Sequence, residues 1–97
     1  MNIQSGKKMK TALITGASSG IGLELAKIHA QQGDNLVLVA RSEKKLNHLK
    51  KELESQYGVS AAVFALDLSK PDAAHQLFDL TEKENIEVDY LINNAGF

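Results

Sequence analysis

Four short apolar runs recur along this chain, each separated from the next by a stretch long enough for a helix. They are Ala12-Leu13-Ile14, Leu36-Val37-Leu38-Val39-Ala40, Ala61-Ala62-Val63-Phe64-Ala65 and Val88 to Ile92. Runs of this length, bounded by polar or Gly/Ser residues and rich in branched side chains, read as strands buried on both faces. The intervening stretches have helical periodicity. Ile21, Leu25 and Ile28 give the first helix one apolar stripe, with Gly33 in the C′ position behind it. Leu46, Leu49 and Leu53 mark a second helix over Glu43 to Gln56, and its other face carries Lys44, Lys45, Lys50, Lys51, Glu52 and Glu54. A Ser69-x-x-Asp72 variant of the capping box, with Pro71 in the first turn, opens a third helix whose inner face is Ala74, Leu77, Phe78 and Thr81.

The order β-α-β-α-β-α-β points to a parallel sheet joined by crossover helices. Right-handed crossovers constrain the topology, and the usual solution is strand order 3-2-1-4, with two helices on one face and the third on the other. The fold class is α/β, a doubly wound parallel sheet. Its switch point falls between the first and fourth strands, where such sheets take ligands at their carboxyl ends.

At 97 residues the chain is one domain or part of one. Residues 1–9 read as a flexible tail and residues 10–97 as the folded unit. Lys+Arg 11 against Asp+Glu 12 leaves no electrostatic footprint for nucleic acid or an anionic membrane. The absence of cysteine excludes a disulfide framework, a thiolate metal site and a cysteine nucleophile. No apolar run approaches the roughly 18 residues of a membrane span, and the polar start does not resemble a signal peptide. A cytoplasmic chain is the expectation. His29, His48 and His75 are too scattered for a metal cluster and read as helix-surface residues, and the lysines between 44 and 51 as a solvated face.

Thr15-Gly16-Ala17-Ser18-Ser19-Gly20-Ile21-Gly22 joins the first strand to the first helix. Gly16 suits a tight turn, Gly20 allows a phosphate close to the backbone, and Gly22 allows close packing of helix on sheet. The free N–H groups and the dipole at the helix start favour an anion there. The spacing is G-x-x-x-G-x-G. A P-loop is excluded, because Gly-Lys-Ser/Thr does not occur in the chain.

With Asn93-Asn94-Ala95-Gly96 closing the fourth strand and Asp67-Leu68 closing the third, the chain closely resembles the short-chain dehydrogenase/reductase family from Lys10 to Phe97. The resemblance implies the amino-terminal part of a Rossmann-type domain that binds NAD or NADP. The parent reaction it implies is hydride transfer at a small carbonyl or alcohol substrate. Carried over, Gly16, Ser18, Ser19, Gly20 and Ile21 would surround the adenosine phosphates. Asp67 would bond the adenine with Leu68 beside it, and Asn94, Ala95 and Gly96 would line the ribose and the path toward nicotinamide. The resemblance also implies a structural role for Asn93 and Asn94, tying the fourth strand to its neighbours, and for Asn93 that role is favoured over ligand contact.

NAD-binding members keep a carboxylate at the end of the second strand for the ribose hydroxyls. Here Ala40 stands there, followed by Arg41, the only arginine of the chain, and Ser42. A planar guanidinium suits a 2′-phosphate, so NADP is expected over NAD. The pattern Arg41-Ser42-x-x-Lys45-Leu46 looks most like reductases of ketoacyl or ketosteroid type.

Catalysis in the family needs Tyr-x-x-x-Lys, in which the lysine lowers the pKa of the tyrosine that supplies the proton. Ala61 stands four residues after Tyr57 and Asn94 four after Tyr90, so neither tyrosine has its lysine. No catalytic residue is therefore assigned. The chain reads as a half-domain truncated before the catalytic segment and inactive alone. The alternatives are a non-catalytic nucleotide-binding module and an incomplete structural half that needs a partner chain. An open apolar edge at the fourth strand further predicts a homo-oligomer or self-association.

Overall fold

Both faces of the central strands are apolar, which forces a layer of helices onto each side. In the computed structural model, which describes residues 9–94, seven elements follow in order. They are β1 (Thr11–Thr15), α1 (Gly20–Gln31), β2 (Asn35–Ala40), α2 (Glu43–Tyr57), β3 (Ala61–Ala65), α3 (Ala73–Lys83) and β4 (Tyr90–Ile92). All strand pairs are parallel and the order is β3-β2-β1-β4, as expected. Thr11 lies opposite Asn35 and Thr15 opposite Val39, so β1 and β2 present their carboxyl ends at the same edge. Apart from Met9, the expected tail lies outside the described residues, as do Ala95 and Gly96.

Alternate strand residues feed two separate cores. Ala12, Ile14, Leu36 and Leu38 pack with Ala26, Ala30, Leu46, Leu49 and Leu53 of α1 and α2. Leu13, Val37, Val39 and Phe64 pack on the other face with Leu77 and Leu80 of α3 and with Ile86. α2 opens with Ser42 Oγ accepting the Lys45 N–H at 3.2 Å, and Gly33 follows α1 with a φ of 89°, as expected of a C′ residue.

α1 turns a different face inward from the one its periodicity suggests, and α3 keeps Leu77 and Thr81 of its expected inner face but not Ala74 and Phe78. In α1 the buried residues are Gly22, Ala26 and Ala30, whereas Ile21 is 69% and Ile28 47% exposed. α1 approaches the sheet too closely for long side chains, so a stripe of small residues takes the inner position and Leu25 packs at its flank. In α3 the expected capping box does not form. Asp72 is the N-cap residue without a side-chain cap bond, and the Ser69 hydroxyl is engaged by Asp67. Ala73 and Thr81 are buried with Leu77 and Leu80 packed between them, while Ala74 is exposed and Phe78 is 60% exposed. A 3.6-residue period admits either stripe, and only the sheet selects one.

β4 begins at Tyr90, two residues later than the apolar run. Asp89 takes over the ladder there. Its N–H donates to the Thr11 carbonyl and its Oδ2 accepts the Thr11 N–H, both at 2.9 Å. His29 is half-buried and not a free surface residue. Its Nδ1 lies 2.8 Å from Oδ2 of Asp34, a residue only 8% exposed, and its ring sits 5.1 Å from that of Tyr90. A buried carboxylate in the α1–β2 turn requires such a partner. No helix of the described residues is long and apolar enough to cross a membrane.

Candidate functional site

The carboxyl ends of β1, β2 and β3 open into a cleft of about 420 Å³. Three segments build it. Gly16, Ser18 and Ser19 come from the β1–α1 loop, Ala40, Arg41, Ser42 and Lys45 from the end of β2 and the start of α2, and Asp67, Leu68 and Ser69 from the turn after β3. The loop is anchored across the sheet by the Ala17 N–H, which donates to the Val39 carbonyl at 3.1 Å.

The floor of the cleft favours an anion. Ser19, the N-cap of α1, makes no side-chain cap bond, and the first turn of α1 contains no acidic residue. Its dipole end is therefore left to an incoming negative charge. Gly20 holds a φ of 60° with open space where a Cβ would stand, so the backbone itself is accessible there. At the mouth, Arg41 is exposed and has no carboxylate partner within ion-pair distance among the described residues.

Asp67 supplies the opposite charge. Its Oδ1 accepts from the Ser69 hydroxyl at 2.6 Å and from the Ser69 N–H at 3.0 Å. The Ser69 hydroxyl, then its N–H, and more weakly the Arg41 and Lys70 charges, hold the carboxyl below its ordinary value against a small opposing desolvation. A depressed carboxylate contributes its stabilisation above the ordinary aspartate value of about 3.9 and loses it as pH falls through the lower folded value. Asp67 is expected to keep its charge below that value, and Ser69→Ala to move the midpoint back up toward it. An NMR titration of the Asp67 carboxyl carbon reads both, and an unchanged midpoint in the variant would contradict the assignment.

The described site residues fall in three places. Gly16, Ser18, Ser19, Arg41, Ser42, Asp67 and Leu68 share the cleft. Gly20 and Ile21 stand at the exposed start of α1 beside it. Asn94 lies on the far side of β1 and is occupied structurally. Its N–H donates to Thr15 Oγ1 at 2.8 Å, and its amide nitrogen faces the Gly16–Gly22 turn. Thr15 Oγ1 also lies 3.1 Å from Asn93 Oδ1, so one hydroxyl ties both asparagines to β1. Thr15, Lys45 and Ser69 were not singled out as site residues. A lone polar residue ending an apolar strand, a lysine three after a helix N-cap and a serine two after an aspartate are the signals for them.

Thr15 is 3% exposed, so Thr15→Val keeps the shape and strands the Asn94 N–H. A loss of about 1–3 kcal/mol is expected, as for other unpaired buried donors, measured by urea unfolding. A change within error would show that water replaces the hydroxyl.

The fold and cleft define a doubly wound α/β protein with an anion-directed cleft over the carboxyl ends of β1, β2 and β3, on the β2 side of the β1/β4 switch point. Against known proteins, the family model described as short chain dehydrogenase matches residues 10–97. The chain belongs to this family. It is 47% identical over 89 residues to the fatty acyl-CoA reductase of Acinetobacter baylyi, covering 92% of this chain and 30% of that protein. It is 45% identical over 94 residues to a very-long-chain 3-oxoacyl-CoA reductase of Neurospora crassa, covering 94% and 28%. Among solved structures, L-sorbose reductase from Gluconobacter frateurii, complexed with NADPH and L-sorbose, superposes with a TM-score of 0.86. That match has 36% identity over 93% of this chain and 34% of the other. The chain thus spans about 30% of the length of the first relative.

Proposed function

We propose that this chain is the adenosine-binding part of an NADP-dependent oxidoreductase that reduces a carbonyl or oxidises the corresponding alcohol. The observation that carries the reading is the end of β2, where a buried Ala40 stands in place of a carboxylate and Arg41, with no carboxylate in ion-pair distance among the described residues, stands at the cleft mouth. A carboxylate at that point would repel a 2′-phosphate, and the guanidinium fork attracts one.

The residues present fit such a group. The uncapped start of α1, with Ser18, Ser19, Gly20 and Ile21, would take the pyrophosphate, and Gly16 would let it lie against the turn. Arg41 and Ser42 would hold the 2′-phosphate. Asp67 would accept from the adenine amino group, with Leu68 covering the ring. Asn94, Ala95 and Gly96 would border the ribose and the way to the nicotinamide. The bound dinucleotide supplies or accepts a hydride. This chain's residues hold and orient it, and the proton donor belongs to the Tyr-x-x-x-Lys pattern that these 97 residues lack.

For the whole protein, a 3-ketoacyl thioester or a similarly bulky ketone is the favoured substrate class. Both curated relatives described above are acyl-CoA or oxoacyl-CoA reductases. A non-catalytic binding module has no observation in its favour. Self-association through β4 is part of the same reading, since Leu91 is 70% exposed on that edge strand.

Titration of the chain with NADPH and NADH, followed by calorimetry, tests the proposal. Tighter binding of NADPH supports it. Equal or inverted affinities would overturn the cofactor assignment.

A further inference from the structure

A sheet edge presents unpaired N–H and C=O groups to any strand that approaches it. β3 forms one such edge of this sheet. The Leu36 N–H bonds the Ser60 carbonyl at 2.9 Å, so Ala61, the next residue, turns its own N–H and C=O away from β2. Both groups are already occupied. The Ala61 N–H donates to Glu54 Oε2 at 2.9 Å, and the Ala61 carbonyl accepts from the Lys50 ammonium. Lys50 Nζ also donates to the same Glu54 oxygen, at 2.8 Å. The three residues close a ring of donors and acceptors.

The sequence places this pair in the charged outer face of α2, yet the Lys50 and Glu54 side chains are only 36% and 35% exposed. Their i,i+4 spacing puts them on one side of the helix. Leu46, Leu49 and Leu53, all buried, seat that helix against the sheet beside the start of β3. The Lys50 hydrogen bond, and then the Ala61 N–H, hold the Glu54 carboxyl below its ordinary value.

We propose that Lys50 and Glu54 form an edge clamp that occupies both backbone groups of Ala61 and denies β3 to a strand from a second copy of this chain. In a parallel edge strand every second residue faces outward, so Ala61, Val63 and Ala65 are the docking points of β3. The clamp removes the first of them. It also sets an ammonium and a carboxylate where an incoming strand would have to desolvate them.

Amide hydrogen exchange in the 97-residue chain tests the clamp. The Ala61 amide is expected to be protected although it lies on an outer edge. In Glu54→Ala its exchange should rise about tenfold or more, with the inward-facing Ala62 and Phe64 amides unchanged as the check on folding. A second readout uses the absence of native cysteines. Ser60→Cys, next to Ala61, should give little intermolecular disulfide on oxidation, and several-fold more when combined with Lys50→Met and Glu54→Gln. Asp79→Asn, which removes an exposed i,i+4 pair on α3, should change neither readout. An unprotected Ala61 amide in the parent chain, efficient parent crosslinking at position 60, or no response to the Lys50 and Glu54 changes would each overturn the proposal.

Discussion

Gly22→Ala is expected to destabilise the chain by about 3 kcal/mol or more, at the upper end of the range for overpacked sites. A Cβ at Gly22 would stand 2.3 Å from the Gly16 carbonyl oxygen, 2.9 Å from its carbon and 2.7 Å from the Asn94 amide nitrogen. Two of these atoms are backbone of the tight turn and cannot move aside as a side chain would. The sign is what makes the experiment informative. In an exposed helix interior, Gly→Ala is favourable by roughly 1 kcal/mol, because alanine has the higher helix propensity. Here the clash outweighs that gain, because α1 and the turn it leaves touch through the glycine. Against a typical total stability of about 5–15 kcal/mol, a loss of this size lowers the urea midpoint well beyond error. The variant should also disturb the start of α1, and with it anion binding at Ser19 and Gly20. A midpoint at or above that of the parent would mean that the turn and α1 are farther apart than described.

Arg41→Ala is expected to weaken NADPH binding roughly ten- to 150-fold, the range for losing a charge-assisted hydrogen bond of about 1.5–3 kcal/mol. NADH, which lacks the 2′-phosphate, should change little, so the ratio of the two affinities is the readout. Arg41 is exposed, and its effect should shrink as salt is raised. Lys45 lines the same cleft and carries a second positive charge, so a residual preference for NADPH should survive. An equal loss for both cofactors would place Arg41 in general folding or phosphate attraction. Titration by calorimetry at two ionic strengths separates these outcomes.

The topology was legible because the apolar runs and the helix-length spacers alternate, and chirality permits few ways to join parallel strands. The glycine loop was legible for a similar reason, since Gly16, Gly20 and Gly22 each meet a local steric demand. The inner face of α1 was not, and that of α3 was legible only at Leu77 and Thr81. Helical periodicity gives the spacing of a stripe but not its rotation about the axis. In α1 the β-branched Ile21 and Ile28 are the wrong guide, because the close approach at Gly22 sets Ala26 and Ala30 innermost, with Leu23 and Leu25 packed beside them. In α3 the Asp67–Ser69 turn took the hydroxyl that a capping box would have used.

By itself, then, the sequence determined the strand order and the position of the switch point between β1 and β4, because these follow from local pattern and chain connectivity. Only the tertiary structure decided the pairings that act across it. Thr15 is the partner through which Asn93 and Asn94 make their expected tie to the neighbouring strand, His29 partners the buried Asp34 against Tyr90, and Lys50 with Glu54 caps Ala61 at the sheet edge. Each depends on the distance between elements after packing, and that distance is set by side-chain volumes in the cores and not by the spacing of residues along the chain.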